Sequence, residues 1–167
     1  MIRKFLALAA ALAALVSRDA LAANATSDFT VTAKVNKTCS IATTSLAFGP
    51  YDPFSTSATP ATNNKGVTLT CSKGTAWTVT LSTGSSTAFA TRAMKGTGTN
   101  PDTLQYNIYV DAGFTQIWGD GTNSTLTVAG TAPDKNAHDV PMYGKILSGQ
   151  DVTQDDYTDA ITATVTF

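Results

Sequence analysis

The sequence predicts an all-β domain built as a β-sandwich. Apolar and polar residues alternate with a period of two along most of the chain, as in residues 29–36, which is the pattern of half-buried strands. Thirty of the 167 residues are threonine, whose branched side chain suits a pleated strand better than a helix. After residue 23, no window has the 3.6-residue apolar period of an amphipathic helix. Strands at this spacing favour two packed sheets, each with one face in water.

The first 22 residues have the three-part order of a secretory signal peptide. Arg3 and Lys4 precede an apolar run over 5–16, and the ALA sequence at 20–22 supplies small residues for cleavage. The run is shorter than the roughly 20 residues that a membrane-spanning helix needs. We therefore expect residues 1–22 to be removed on export, and no other stretch is apolar enough to leave a membrane span in the mature chain.

Charge and composition narrow the possible partners. Loss of the signal peptide changes the formal net charge from −1 to −3, and every acidic residue of the chain is aspartate. A weakly acidic chain with scattered lysines has no basic surface for nucleic acid or an anionic membrane. The remaining length suits one domain with a real core.

The predicted strands follow in order along the mature chain. The first lies over 29–36, and a second, less regular strand lies over 41–48. Further strands are predicted over 67–71, 77–81, 103–111, 126–128, 140–146 and 161–167. Residues 52–65 and 83–102 are rich in Ser, Thr, Gly and Asn and are interpreted as surface loops.

The chain contains two cysteines, Cys39 and Cys71. An even pair in an exported chain most often forms a disulfide. The alternative is a two-thiolate metal site, for which the sequence provides no second pair of ligands. We predict the disulfide, and no metal.

The N-terminal strand allows two interpretations. Its apolar face consists of Phe29, Val31, Ala33 and Val35. In the first interpretation this strand pairs within its own chain and completes an ordinary sandwich. In the second, the fold lacks one strand, and the N-terminal strand of a neighbouring molecule fills the gap by strand addition. The alternation alone fits both.

The sequence predicts no catalytic residue and no cofactor. His138 is the only histidine, and no Gly-x-Ser-x-Gly motif accompanies it. An acidic cluster over 151–159 carries oxygens that hard cations use, but it lacks the spacing of a calcium loop. It is interpreted as a solvated loop, with cation binding left open. Trp118, beside a glycine, could stack on a sugar, so a carbohydrate-binding sandwich domain is an alternative to a structural protein.

Seven motifs in order resemble the spore coat protein U domain family, which includes the major subunits of archaic chaperone–usher pili. The motifs are CSI at 39–41, FGPYDP at 48–53, VTLTC at 67–71, LQYNIY at 104–109, IWGDG at 117–121, MYGKI at 142–146 and the segment from YTD at 157–159 to residue 167. Together they cover essentially the whole mature chain.

The resemblance implies an incomplete immunoglobulin-like β-sandwich that is completed by donor-strand exchange. The implied domains are a signal peptide at 1–22, a donor-strand extension at 23–37 and a pilin-like sandwich at 38–167. The donor residues would be Phe29, Val31, Ala33 and Val35. The acceptor groove and chaperone contact would be Ile161, Ala163, Val165 and Phe167. The family's paired cysteines match Cys39 and Cys71.

The implied function is that of a structural subunit, not an enzyme. A periplasmic chaperone would first lend the missing strand, and an outer-membrane usher would exchange it for the extension of the next subunit. The product would be a homopolymer at the cell surface that supports adhesion and biofilm formation. The family also contains coat proteins of sporulating bacteria, so a spore or cell coat protein is the alternative.

Overall fold

The computed structural model describes residues 23–167, and the predicted signal peptide at 1–22 lies outside the described residues. The chain divides into two units, with the boundary between Lys34 and Val35. The second unit holds the strands of the described chain and one turn of 3₁₀ helix, Phe89–Thr91. The strands are β1 Cys39–Thr43, β2 Thr59–Cys71, β3 Ala76–Leu81, β4 Ala93–Gly96, β5 Thr103–Tyr109, β6 Val128–Thr131, β7 Ala137–Ile146, β8 Tyr157–Thr158 and β9 Ala163–Thr166.

The N-terminal extension is not part of either sheet. Residues 23–38 form no helix or strand. Phe29, Val31 and Val35 are 87%, 81% and 87% exposed. The apolar face that the sequence predicted therefore faces solvent in the single chain.

The domain consists of two sheets whose named strands all pair antiparallel. The larger sheet has the order β1-β2-β7-β5-β4-β8, and the smaller one has the order β6-β3-β9. In the larger sheet, β2 and β7 form the longest pairing, which a bulge interrupts between Asn63 and Val67. β1 and β9 are edge strands of different sheets.

Alternation in the strands builds the core between the sheets. In β5, Leu104, Tyr106 and Ile108 are buried, and in β7 the buried residues include Val140 and Met142. Each set shares one parity, as a strand with one face in the core requires. The core thus confirms the all-β prediction for the described residues.

Two further features tie the domain together. Cys39 and Cys71 face each other across β1 and β2 and form the predicted disulfide. Trp118 is fully buried, and its indole N–H donates to the carbonyl of Val79, at 3.1 Å.

Some predicted boundaries differ from the structure. The strand predicted over 41–48 ends at Thr43, and β2 begins at Thr59, inside the predicted loop 52–65. The last strand covers only Ala163–Thr166 of the predicted 161–167. Across residues 23–167, no helix has both the length and the apolar character needed to cross a membrane.

Candidate functional site

A groove of about 410 Å³ opens into the core of the domain. We call it the first groove. Its two walls are the segments 43–48, which follows β1, and 157–161, which precedes β9. Its floor is made of core residues from both sheets: Val67, Leu81, Tyr106, Ile108 and Met142. Apolar core is therefore reachable from outside along this side of the sandwich.

After Thr43, the wall at 43–48 is held by one backbone hydrogen bond, from Thr44 N to the carbonyl of Gly66 at 3.0 Å, and by side chains. Thr44 Oγ donates to the carbonyl of Lys65 at 2.7 Å. Asn63 Nδ2 donates to Thr44 Oγ and to the carbonyl of Ser45, both at 2.8 Å. The bulge in β2 lies at Asn63, so it turns this amide toward the wall. These bonds hold the wall next to β2 beyond Thr43, the last residue of β1.

A glycine lets the same wall pack closely on the sheet. A Cβ on Gly144 of β7 would lie 2.5 Å from a methyl carbon of Leu46 and 2.7 Å from the ring of Phe48. These distances are far below van der Waals contact, so only glycine allows both side chains to lie over β7.

The wall at 157–161 is held by Asp159. One of its oxygens accepts from the N–H of Ser85 at 2.9 Å, and the other accepts from the hydroxyl of Tyr106 at 2.8 Å. Thr162 N also donates to Ser82 Oγ at 2.9 Å. Asp159 therefore fixes this wall to both sheets, because Tyr106 lies in β5 and Ser85 follows β3.

The groups beneath this wall are strongly perturbed by burial. Burial, followed by the hydrogen bond to Asp159, raises the pKa of the Tyr106 hydroxyl far above its ordinary value. Burial also lowers the pKa of Arg92, which donates to the carbonyl of Ser82 and to Asn107. Tyr106 thus stays neutral and acts as a hydrogen-bond donor at ordinary pH.

An open seam runs beside the first groove. It is formed by the outer edges of β1 and β9, whose Cα atoms approach within 8 Å next to the groove. The two strands are not hydrogen-bonded neighbours in either sheet. Edge strands of this kind present backbone donors and acceptors to an incoming strand.

A second groove, of about 820 Å³, continues the first. Five residues border both: Leu46, Phe48, Met94, Tyr157 and Thr158. Its floor includes Leu104 and Ile146, and its rim includes the acidic segment around Asp155.

The residues predicted as acceptors lie on or next to these features. Ile161 lines the first groove. Ala163 and Val165 are half-buried in β9 and pack against the core. Phe167 follows β9 and is 50% exposed. The predicted donor residues Phe29, Val31, Ala33 and Val35 are all exposed.

Sequence reasoning missed most of the groove walls. The sequence predicts that residues 43–48 continue a strand, and that Asp159 belongs to a solvated acidic cluster. The loss of strict alternation after Thr43 was the available signal for the first wall. Nothing in the sequence signals that Asp159 bonds to Tyr106, 53 residues away.

The described residues do not bring together the groups that a metal, catalytic or sugar-binding site would need. No three His, Cys, Asp or Glu side chains between residues 23 and 167 are grouped to hold a metal ion. Asp155 instead accepts hydrogen bonds from Thr97 and Asn100. His138 contacts Asp134 at 3.0 Å. Trp118 is buried and has no face free for a sugar ring.

Fold and groove together define the class of protein: an immunoglobulin-like sandwich that is incomplete along one seam. The family model for the Spore Coat Protein U domain matches residues 25–164. The chain therefore belongs to the spore coat protein U domain family, as the sequence motifs predicted. Protein U of Myxococcus xanthus is 30% identical over 174 residues, which cover 96% of this chain and 95% of that protein.

A solved structure shares the fold. It is the chaperone–tip adhesion subunit pre-assembly complex CsuC–CsuE from the archaic chaperone–usher Csu pili of Acinetobacter baumannii. The matched chain has a TM-score of 0.57 and 23% identity, over 80% of this chain. This chain spans 40% of the length of that one. Proteins of this family are structural and non-enzymatic, so the prediction that the chain is not an enzyme is confirmed.

Proposed function

We propose that this chain is a structural subunit of a secreted surface fibre, in which each copy completes the sandwich of the next by donating a strand. The donor is the segment that carries Phe29, Val31, Ala33 and Val35. The acceptor is the open seam with the first groove. One observation carries the proposal: the core is reachable through the first groove, beside the unpaired edges of β1 and β9, while the same chain exposes an alternating apolar segment.

Hydrogen bonding and apolar burial both favour the pairing of this donor with this acceptor. An inserted strand would satisfy free backbone groups on the seam and bury alternate side chains on an apolar floor. Burial of each Phe or Val side chain contributes about 1.5–3 kcal/mol, so the three large donor side chains supply roughly 5–9 kcal/mol before ordering costs.

The proposal includes the export route and its partners. Residues 1–22 would be removed on export, leaving the extension 23–37 and the domain 38–167. A periplasmic chaperone would cover Ile161, Ala163, Val165 and Phe167 before an outer-membrane usher adds the next subunit. The similarity in fold to a protein from a chaperone–subunit complex supports a chaperone partner. The fibre would serve adhesion and biofilm formation.

The test compares the refolded mature protein with a version that begins at Asn36, on an SDS gel without boiling. We expect a ladder of oligomers from the full-length protein alone, collapsing to monomer on boiling. Monomers from both versions would contradict strand donation.

A second candidate is a coat protein that packs laterally without fibres. The family description and the full-length similarity to Protein U favour it. Electron microscopy of surface material from expressing cells separates the two, because fibres of subunit width are expected only from the first.

A further inference from the structure

The second groove has no role in the strand donation proposed above. Three loops border this end of the sandwich, which we call the groove end: 49–58, 97–102 and 147–156. Strand pairing puts them together, because Ile146 lies opposite both Thr59 and Tyr106, and Gly96 lies opposite Tyr157. The second groove is uncovered at this end of the single chain.

The groove end combines exposed apolar side chains with carboxylates. Phe54 is 92% exposed and Leu147 is 51% exposed. The acidic residues here are Asp52, Asp102, Asp151, Asp155 and Asp156, and Lys95 is the basic residue at the end of β4. Surface of this kind, an apolar patch inside a charged rim, is typical of a protein–protein contact.

The opposite end of the sandwich carries the other sign. We call it the linker end, because residues 36–38 lead into β1 there, and Ser72 N donates to the carbonyl of Thr38 at 2.9 Å. Its exposed basic residues are Lys37, Lys73 and Lys135. Its one acid in the loop 132–136, Asp134, is occupied by the N–H of Asn136 and by His138.

We infer that the groove end of one copy docks on the linker end of the next copy, with the acidic rim against the three lysines. The inference rests on the proposed function. It requires the donor strand to run parallel to β1, so that Lys37 of the donating copy reaches the second groove of the accepting copy. Phe54 and Leu147 are then covered by the neighbouring domain.

The short linker keeps the next domain close to the donated strand. Val35 and Cys39 are four residues apart, so the chain between them spans at most about 14 Å. A copy whose Val35 lies in the first groove begins its own domain within that distance of Val35, and a donor strand parallel to β1 puts this point next to the second groove, which borders the first. The part of that domain nearest to Cys39 is the linker end. Unlike charges on the two ends favour this orientation and speed association.

The test uses the full mature chain and measures the rate at which boiling-sensitive oligomers form. Asp151 and Asp156 are suited to substitution, because neither carboxylate accepts a hydrogen bond from the described residues. The variant Asp151→Asn/Asp156→Asn adds two units of charge. Ala112→Lys/Ala129→Lys is the matched control, since it adds the same charge at exposed positions outside the loops 49–58, 97–102 and 147–156 of the groove end.

We expect the Asn variant to assemble about 3- to 10-fold more slowly than the control at low salt. The difference should vanish near 1 M salt, where the Debye length is about 3 Å. Asp151→Lys/Asp156→Lys should be slower still, and adding Lys37→Asp/Lys73→Asp to that chain should restore the rate.

Equal rates for the Asn variant and its control, or no rescue by the charge swap, would overturn the docking. Strand donation would survive that result, because the oligomers would still form. Absence of oligomers from the unmodified protein would overturn both proposals. Melting temperatures of the monomers check that every variant is folded.

Discussion

The two flanks of the sandwich differ in whether hydrogen bonds join the two sheets. On the closed flank, the backbone around Trp118 joins both sheets: Trp118 N donates to Ile108 of β5 at 2.8 Å, and Leu81 of β3 donates to Gly119 at 3.1 Å. On the open flank, β1 and β9 lie side by side without pairing, and the first groove exposes the core.

The closed flank therefore determines the stability of the domain, whereas the open flank is where we propose that assembly takes place. The closed flank anchors the core with residues of the same domain, so the domain has a stable side without any partner. The open flank leaves the edges of β1 and β9 unpaired beside an apolar groove, and it is here that we propose the addition of a strand from another copy. Changes on the closed flank should therefore affect stability, and changes in the donor segment should affect assembly alone.

The largest expected effect comes from the donor segment. Val31→Asp should abolish SDS-resistant oligomers, because it would bury an unpaired carboxylate at a cost of several kcal/mol. The melting temperature of the monomer should stay unchanged, since Val31 is 81% exposed there. The matched control is Thr32→Asp, one residue along on the opposite face of the strand. If Val31→Asp assembled as well as this control, Val31 would not be a donor residue.

On the closed flank, Trp118→Ala should lower the free energy of unfolding by about 3–5 kcal/mol, because it removes a fully buried indole. Urea denaturation of the monomer measures this. Trp118→Phe should lower the free energy of unfolding by less, because it keeps an aromatic ring in the core. The remaining loss, about 1–3 kcal/mol, comes from the carbonyl of Val79, which loses the indole N–H as its donor. A stable Trp118→Ala domain would mean that the closed flank does not anchor the fold.

The disulfide stabilises the wall of the open flank. Cys39→Ser/Cys71→Ser should lower the free energy of unfolding by about 3–4 kcal/mol, because the bond closes a loop with a sequence separation of 32. Denaturation with and without reductant checks it. Reductant should bring the unmodified protein to the level of the variant and leave the variant itself unchanged.

The smallest expected effect is an acid sensitivity at the second groove. Hydrogen bonds from Thr97 and then Asn100 lower the pKa of Asp155 in the folded state. The resulting stabilisation is present above the ordinary carboxyl pKa of about 4 and is lost as pH falls through the lower, folded value.

The melting temperature of the unmodified protein should fall in acid partly because Asp155 becomes protonated. In the variant Asp155→Asn, this part of the fall should be absent. Asp156→Asn is the control, because its carboxylate accepts no hydrogen bond within residues 23–167. If both variants followed the unmodified protein from pH 5 to pH 2, Asp155 would make no pH-dependent contribution.

The sequence predicted the buried strands better than the groove. In β5 and β7, one face lies in the core, so burial itself imposes the alternation that reveals the strand. β2 begins within TPATNNKG, a polar stretch interpreted as a loop, and forms a strand because β7 pairs with residues 59–63. Such pairing depends on the tertiary structure and leaves little trace in local composition.

The groove walls were hidden for a related reason. Asn63, Thr44 and Asp159 act through contacts between residues far apart in the sequence, and each alone resembles an ordinary surface residue. The donor segment was visible because its four apolar residues follow one another at a period of two. The predicted acceptor residues are Ile161, Ala163, Val165 and Phe167, of which Ile161 lines the first groove.

The position of the disulfide matters for a fibre under tension. A pull on a donated strand enters the domain through Thr38 and arrives at Cys39, the first residue of an edge strand. The covalent bond passes that force directly to Cys71 in β2, which pairs with both β1 and β7. In the proposed fibre the hydrogen bonds of β1 would thereby be spared the load, and the wall of the groove would keep its shape while the fibre is stretched.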